Sequence, residues 1–153
     1  YSMQLEILVN EILREHVDFI NEWNSIREII NQVSFEEPKI RKDKFNFLKP
    51  LTDLFGRTCM FVSKFKIHEI KEEKYIFIEL AERGKKELVF KLLDEHRKLD
   101  NMLEEMRKLL ENYRFEKISA RELAEQMLKI HKEITDTIMK HIEIEDEEFP
   151  KLG

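Results

Sequence analysis

The chain has 153 residues, 39% of them charged and 42% hydrophobic, with a net charge of −5, three glycines and three prolines. That length suits a single domain with its own core, and the Glu-, Lys-, Leu- and Ile-rich mix favours long helices over sheets. The interleaved charge signs exclude the basic stripe that nucleic acid or an anionic membrane selects. No apolar run approaches the roughly 20 residues that cross a bilayer, and no secretory pattern opens the chain. The single cysteine, Cys59, has no intramolecular partner and is read as a small buried filler in a reducing compartment, so the expected location is cytoplasmic. Tyr1 and Ser2 precede Met3 and are expected to lie outside the natural domain, which is drawn as residues 3–150.

From Met3 to about Val33, the positions Leu5, Val9, Ile12, His16, Phe19, Trp23, Ile26, Ile30 and Val33 recur at alternating spacings of four and three. This is the seam of a helix in a bundle, and it gives His16 a core position. Ser34 to about Lys49 reads as a connection, because Pro38, the basic cluster Lys39 to Lys44 and Pro50 interrupt the pattern; Phe45, Phe47 and Leu48 suit a short helical cap there. A second helix is expected from about Pro50, with Leu54, Thr58, Phe61, Phe65, His68, Glu72 and Tyr75 inward and Gly84 as its stop beyond Leu80. A third spans about Lys86 to Asn112, with Val89, Leu92, His96, Leu99, Leu103, Met106 and Leu110 inward. Ser119 and Glu122 make a capping box for a fourth, which carries Leu123, Met127, Ile130, Ile134, Thr137, His141 and Glu145 before Pro150 ends it. The predicted fold is all-α, an antiparallel up-down-up-down four-helix bundle.

Two H-x-x-x-E pairs, His68 with Glu72 and His141 with Glu145, lie on such seams. Four residues is one helical turn, so each pair places an imidazole and a carboxylate on one face, able to touch the same metal. His16 and His96 supply one more inward imidazole from each half of the chain. Axial position agrees: His16 stands roughly 18 residues before the end of the first helix and His68 roughly 18 after the start of the second, about 27 Å in both cases. Burying four imidazoles and two carboxylates without a neutralising Arg or Lys would cost several kcal/mol per unpaired charge. One or two cations of charge two or three remove that cost. Carboxylate plus imidazole suits iron or manganese and tolerates zinc, and the lack of thiolate ligands argues against an iron–sulfur cluster.

These segments, the EH of Glu15 and His16, HEIKEEKYIF from His68, the EH of Glu95 and His96, and HIEIEDEEFP from His141, resemble the hemerythrin-like, HHE cation-binding domains over nearly the whole chain. The resemblance implies a bundle holding a non-haem di-iron centre, two iron ions with an oxo or hydroxo bridge. Its small ligands are dioxygen, peroxide or nitric oxide. Carried over by position, His16, His68, His96 and His141 are terminal ligands, and Glu72 and Glu145 bridge.

Oxygen-carrying hemerythrins have a fifth histidine four residues after the third-helix one and an aspartate five after the fourth-helix one. Here Asp100 stands at the first place, while Glu145 at plus four and Asp146 at plus five compete for the second. The parallel with Glu72 favours Glu145. Four histidines divide two and two, leaving both ions short of a full shell unless Glu69, Asp100, Asp146 or water completes it. That count moves sensing or reduction of an oxidant ahead of reversible carriage. The leading reading is a di-iron protein that binds or senses dioxygen or a related oxidant; the alternatives are a peroxide- or dioxygen-reducing enzyme and an interaction module with a structural metal. Nothing in the residues names a protein partner, and a homodimer stays open.

Among the remaining residues, His131 lies ten positions before His141, about 15 Å along the axis, and is read as a surface or second-layer histidine. Trp23, Phe19, Phe65 and Tyr75 are expected to flank the metal layer as core packing, with water exclusion or electron relay as the functional reading.

Overall fold

The computed structural model describes residues 2–33 and 41–152, the side chains of 41–44 excepted. Helix α1 covers Met3–Gln32, and the Ser2 hydroxyl caps it by accepting from Leu5 N at 3.1 Å. Ser2 therefore has a structural task although the sequence set it aside. Helix α2 is one rod of three pieces, an α-helix Arg41–Lys71, a π-helical turn Glu72–Ile76 and an α-helical end Phe77–Glu82. Helix α3 spans Lys86–Arg114 and α4 spans Ala120–Glu148, running on into a 3-10 turn, Phe149–Leu152. All regular structure among the described residues is helical.

Three details differ from expectation. Residues 34–40, with Pro38 and the start of the basic cluster, lie outside the described residues. From Arg41 on, the expected connection is already helix, with Pro50 inside it. An interior proline costs about 3 kcal/mol, but Phe47 and Leu51 extend the seam and are buried in the same cluster as Ile29 and Val33, which offsets that cost. In the π turn the chain takes an extra residue per turn, so the seam slips by one: Tyr75 is 60% exposed while Ile76 and Phe77 are buried. On α4, Ile138 rather than Thr137 is buried.

The connections follow local chemistry. Gly84, at φ +84°, lets α2 close with Gly84 N bonded to Ala81 O and Lys85 N to Leu80 O, the left-handed stop that glycine accepts without strain. The same closure after α3 uses Glu116 at φ 59°, with Lys117 N on Asn112 O at 2.8 Å. Ser119 and Glu122 form the reciprocal capping box at the start of α4.

Helix α1 packs on α2 and α4, and α3 packs on α4 and α2. Cross-helix pairs run Glu11 to Lys71, Glu15 to His68 and Glu22 to Lys64, numbers rising on α1 as they fall on α2; Lys85 to Glu148 and Glu95 to His141 do the same for α3 and α4. Neighbours thus run in opposite directions. Two apolar clusters fill the bundle, a large one from Phe19 to Ile142 and a small one around Ile12, Ile76, Leu92 and Phe149. A polar layer lies between them. Cys59, next to inward Thr58, falls on the outer helix face and is exposed rather than buried. No helix is long and apolar enough to cross a membrane among the described residues.

Candidate metal centre

Each helix delivers one imidazole to the polar layer, and α2 and α4 each add a carboxylate one turn further on. His16, His68, His96 and His141 are all buried, and Glu72 and Glu145 are 0% exposed. The ligand atoms fall into two groups, one of His16, His68, Glu72 and Glu145 and the other of Glu72, His96, His141 and Glu145, in each of which they lie within 4.8 Å of one another. Both carboxylates belong to both groups, and the imidazoles divide two and two. In the first group His16 Nε2 is 3.0 Å from Glu145 Oε1, and His68 Nε2 is 3.2 Å from Glu72 Oε2. In the second, His96 Nε2 is 2.9 Å from Glu72 Oε1, and His141 Nε2 is 3.0 Å from Glu145 Oε2.

Every one of the four rings is backed by a carboxylate on its other nitrogen. Nδ1 of His16 meets Asp146 at 2.7 Å, that of His68 meets Glu15 at 2.9 Å, that of His96 meets Glu73 at 3.2 Å and that of His141 meets Glu95 at 2.9 Å. Because a carboxylate only accepts, Nδ1–H donates and Nε2 is the nitrogen aimed at the centre. The pattern repeats across the chain halves: the glutamate before His16 holds His68, the glutamate before His96 holds His141, and the acids after Glu72 and Glu145 hold His96 and His16. A helix turns about 100° per residue, so the residue after an inward glutamate faces the adjacent helix.

Protein groups alone do not satisfy this layer. His16 Nε2, Glu72 Oε2 and both oxygens of Glu145 are buried without a hydrogen-bond partner, which is rare for native side chains. Without metal, protons take up the strain. Burial opposes the charge on His16, but the nearby carboxylates of Glu145 and Glu72 outweigh it and raise its pKa to about 10. Burial likewise opposes the charges on His68 and His141, yet their carboxylate neighbours raise both. Burial and the charge of Glu72 push Glu145 up, whereas Glu72 itself is lowered well below its ordinary value because His68 and the hydrogen bonds around it outweigh burial. Orphaned buried ligand atoms and a hard-to-borderline donor set fit a cation or a pair of them.

The additional candidates occupy other places. Asp146 is 51% exposed and turned to the back of His16, so the plus-four residue, not the plus-five one, stands in the layer. Asp100 is half-buried and acts electrostatically on Glu69. Glu69 is 2% exposed, with Oε2 unpartnered and 3.6 Å from His96 Nδ1. Burial, then Asp100, Glu73 and Glu72, push it up to about 10. Aromatic rings wall the layer: Phe19 and Phe65 lie 4.9 and 5.9 Å from His68, and Phe77, in the place foreseen for Tyr75, stacks on His96 at 5.2 Å. His131 is not at the surface; it is buried, stacked on Trp23 at 4.1 Å, with its Nε2–H donating to Trp23 O at 2.8 Å.

A family model described as the hemerythrin HHE cation binding domain matches residues 7–152. The chain belongs to that family. Comparisons with curated proteins and with solved structures returned no match. As a hemerythrin HHE domain the chain is a cation-binding bundle, and its two buried His/Glu groups can hold metal ions. The backing residues Glu15, Glu73 and Glu95 were missed by sequence reasoning, although the twice-repeated EH and the acid following each bridging glutamate were their signal. Burial of Glu69 had no comparable signal, since it depends on the partner helix carrying Asp100.

Proposed function

We propose that this hemerythrin HHE domain is a non-haem di-iron protein that binds or senses dioxygen or a related oxidant such as peroxide. The observation carrying this reading is the sharing of Glu72 and Glu145 by two ligand groups, each completed by two imidazoles. A pair of ferrous ions, when bound there, supplies two electrons to an oxidant. The chain's part is positioning and exclusion. Asp146, Glu15, Glu73 and Glu95 fix the tautomer and tilt of the four rings, the device that holds metal-ligating histidines in place. Phe19, Phe65 and Phe77 keep water from the layer. With Asp100 standing where an oxygen carrier has its fifth imidazole, both ion positions keep only two nitrogens, which supports reaction of the oxidant over its release.

Metal analysis joined to optical spectroscopy tests this. Loaded with ferrous iron, the chain should hold about two irons, as inward carboxylate and histidine sets on bundle helices do. Air oxidation should raise absorption that a reductant bleaches. Purging with inert gas should not restore the reduced spectrum. A single redox-silent metal per chain would support the structural-metal reading instead, and steady peroxide consumption with an added reductant would make the protein an enzyme.

A further inference from the structure

The surroundings of the four histidines are unequal. His68 is closed by Phe19 and Phe65, and its backing Glu15 already holds the Lys71 ammonium at 2.8 Å. At His141 the backing Glu95 feels the charge of Lys91. Nδ1 of His16 meets the single acid Asp146. His96 differs: Glu73, 41% exposed, lies 3.2 Å from its Nδ1, Glu69 lies 3.6 Å away, and half-buried Asp100 acts electrostatically on Glu69. The strongest charges acting on Glu69 are those of Asp100, Glu73 and Glu72, all of one sign.

An acidic cluster alone is only a solvated surface. Here one member, Glu69, is 2% exposed, and its Oε2 has no hydrogen-bond partner. A buried, unpartnered carboxyl oxygen is costly, and this one lies 3.6 Å from Nδ1 of His96, on the same side of the ring as Glu73 at 3.2 Å. In exposure the three acids grade from Glu73 through Asp100 to Glu69, next to the group formed by Glu72, His96, His141 and Glu145. The ordinary i, i+4 spacing puts Glu72 on the face of His68, while its neighbour Glu73 faces α3.

We propose that Glu69, Asp100 and Glu73 form a transit site through which a hydrated divalent cation reaches the centre from the His96 side, exchanging water for carboxylate oxygens on the way. The proposal rests on the metal-centre reading above. It assigns the three acids to the rate of loading rather than to the resident shell. The ion enters first the position served by His96 and His141, and the position served by His16 and His68 fills after it.

The test is rapid mixing of chelator-stripped protein with cobalt(II) at low ionic strength, following the visible absorption of the bound ion. Final metal content and far-ultraviolet circular dichroism are recorded for each variant. Asp100→Asn should slow uptake about fivefold or more, as removal of a steering charge does, with the final content unchanged. Asp94→Asn, which removes an exposed charge from the same helix, should load at the wild-type rate. Glu69→Gln should slow uptake further, again to full content. Equal rates for all four proteins would overturn the transit role, as would equal slowing by Asp100→Asn and Asp94→Asn. A Glu69→Gln protein that folds but ends with less metal would make Glu69 a resident ligand and overturn it too. Failure of the wild type to bind cobalt would instead strike the metal-centre reading itself.

Discussion

Two buried histidine environments stand within one bundle, and they differ in what the ring nitrogens face. His131 lies in the large apolar cluster, flat against Trp23 at 4.1 Å, with Nε2–H on a backbone carbonyl; Trp23 Nε1–H donates to Thr135 at 2.8 Å. Its surroundings satisfy it, and burial lowers its pKa so that it stays neutral. The four histidines of the polar layer are equally buried, yet their Nε2 atoms converge on two carboxylates that keep unpartnered oxygens. Burial does not distinguish a packing histidine from a candidate ligand. Convergence of unsatisfied atoms does.

The sharpest way to break this contrast is to remove a shared carboxylate. Glu72→Ala or Glu145→Ala should reduce metal content from about two ions per chain to well under one, because each serves both groups. Asp146→Ala should weaken affinity by about 10- to 100-fold, as loss of a backing partner does. Metal analysis at equal free-ion concentration checks both. If Asp146→Ala empties the site while Glu145→Ala leaves it full, the plus-five residue is the bridge.

Chelation with a pH series comes next in size. Metal that binds only the folded chain stabilises it by mass action, about 2.7 kcal/mol at a hundredfold excess over Kd, so stripping should lower Tm. His16 has a folded pKa of about 10 against 6.5 ordinarily. In the metal-free chain its contribution is therefore full below about pH 6.5 and lost as pH rises through 10. Metal binding has the opposite sign, since the ligands must shed those protons. The Tm gap between loaded and stripped protein should widen from pH 6.5 towards 9. A constant gap would mean that protons and metal do not compete for this layer.

His131→Phe should leave metal content at wild type while destabilising loaded and stripped protein alike by about 1–3 kcal/mol, the range for losing a buried polar partner. Denaturant unfolding read by Trp23 fluorescence measures this. Loss of metal with a folded bundle would erase the distinction between the two environments. Smallest is a change far from both: Glu116→Gly should stabilise by about 1 kcal/mol, since a left-handed φ of 59° strains a side chain that glycine lacks. It should act equally with and without metal.

Much of the contrast could be read in the residues. The four-three seams give nearly every buried position on α1 and α3, the seam on α4 misses Ala120, Ala124, His131, Ile138 and Ile142, and the H-x-x-x-E pairs mark the two helix faces that carry carboxylates. Pro50 misled because local propensity gave way to the packing of Phe47 and Leu51, a tertiary effect. Tyr75 misled because a π turn is a one-residue slip with no composition of its own. His131 and Cys59 show the limit of residue type as a guide: a histidine off the metal layer can still be core, and a lone cysteine beside an inward threonine can face solvent. The backing carboxylates sit on neighbouring helices, and their pairing needs the bundle geometry even though the repeated EH signals them.

Anomalous diffraction from crystals of the metal-loaded protein tests the central claim most directly. The account predicts two peaks about 3.5–4 Å apart, one bonded to His16 and His68, the other to His96 and His141, with Glu72 and Glu145 reaching both. A single peak, or metal held by surface acids while the layer stays closed on its own hydrogen bonds, would contradict it.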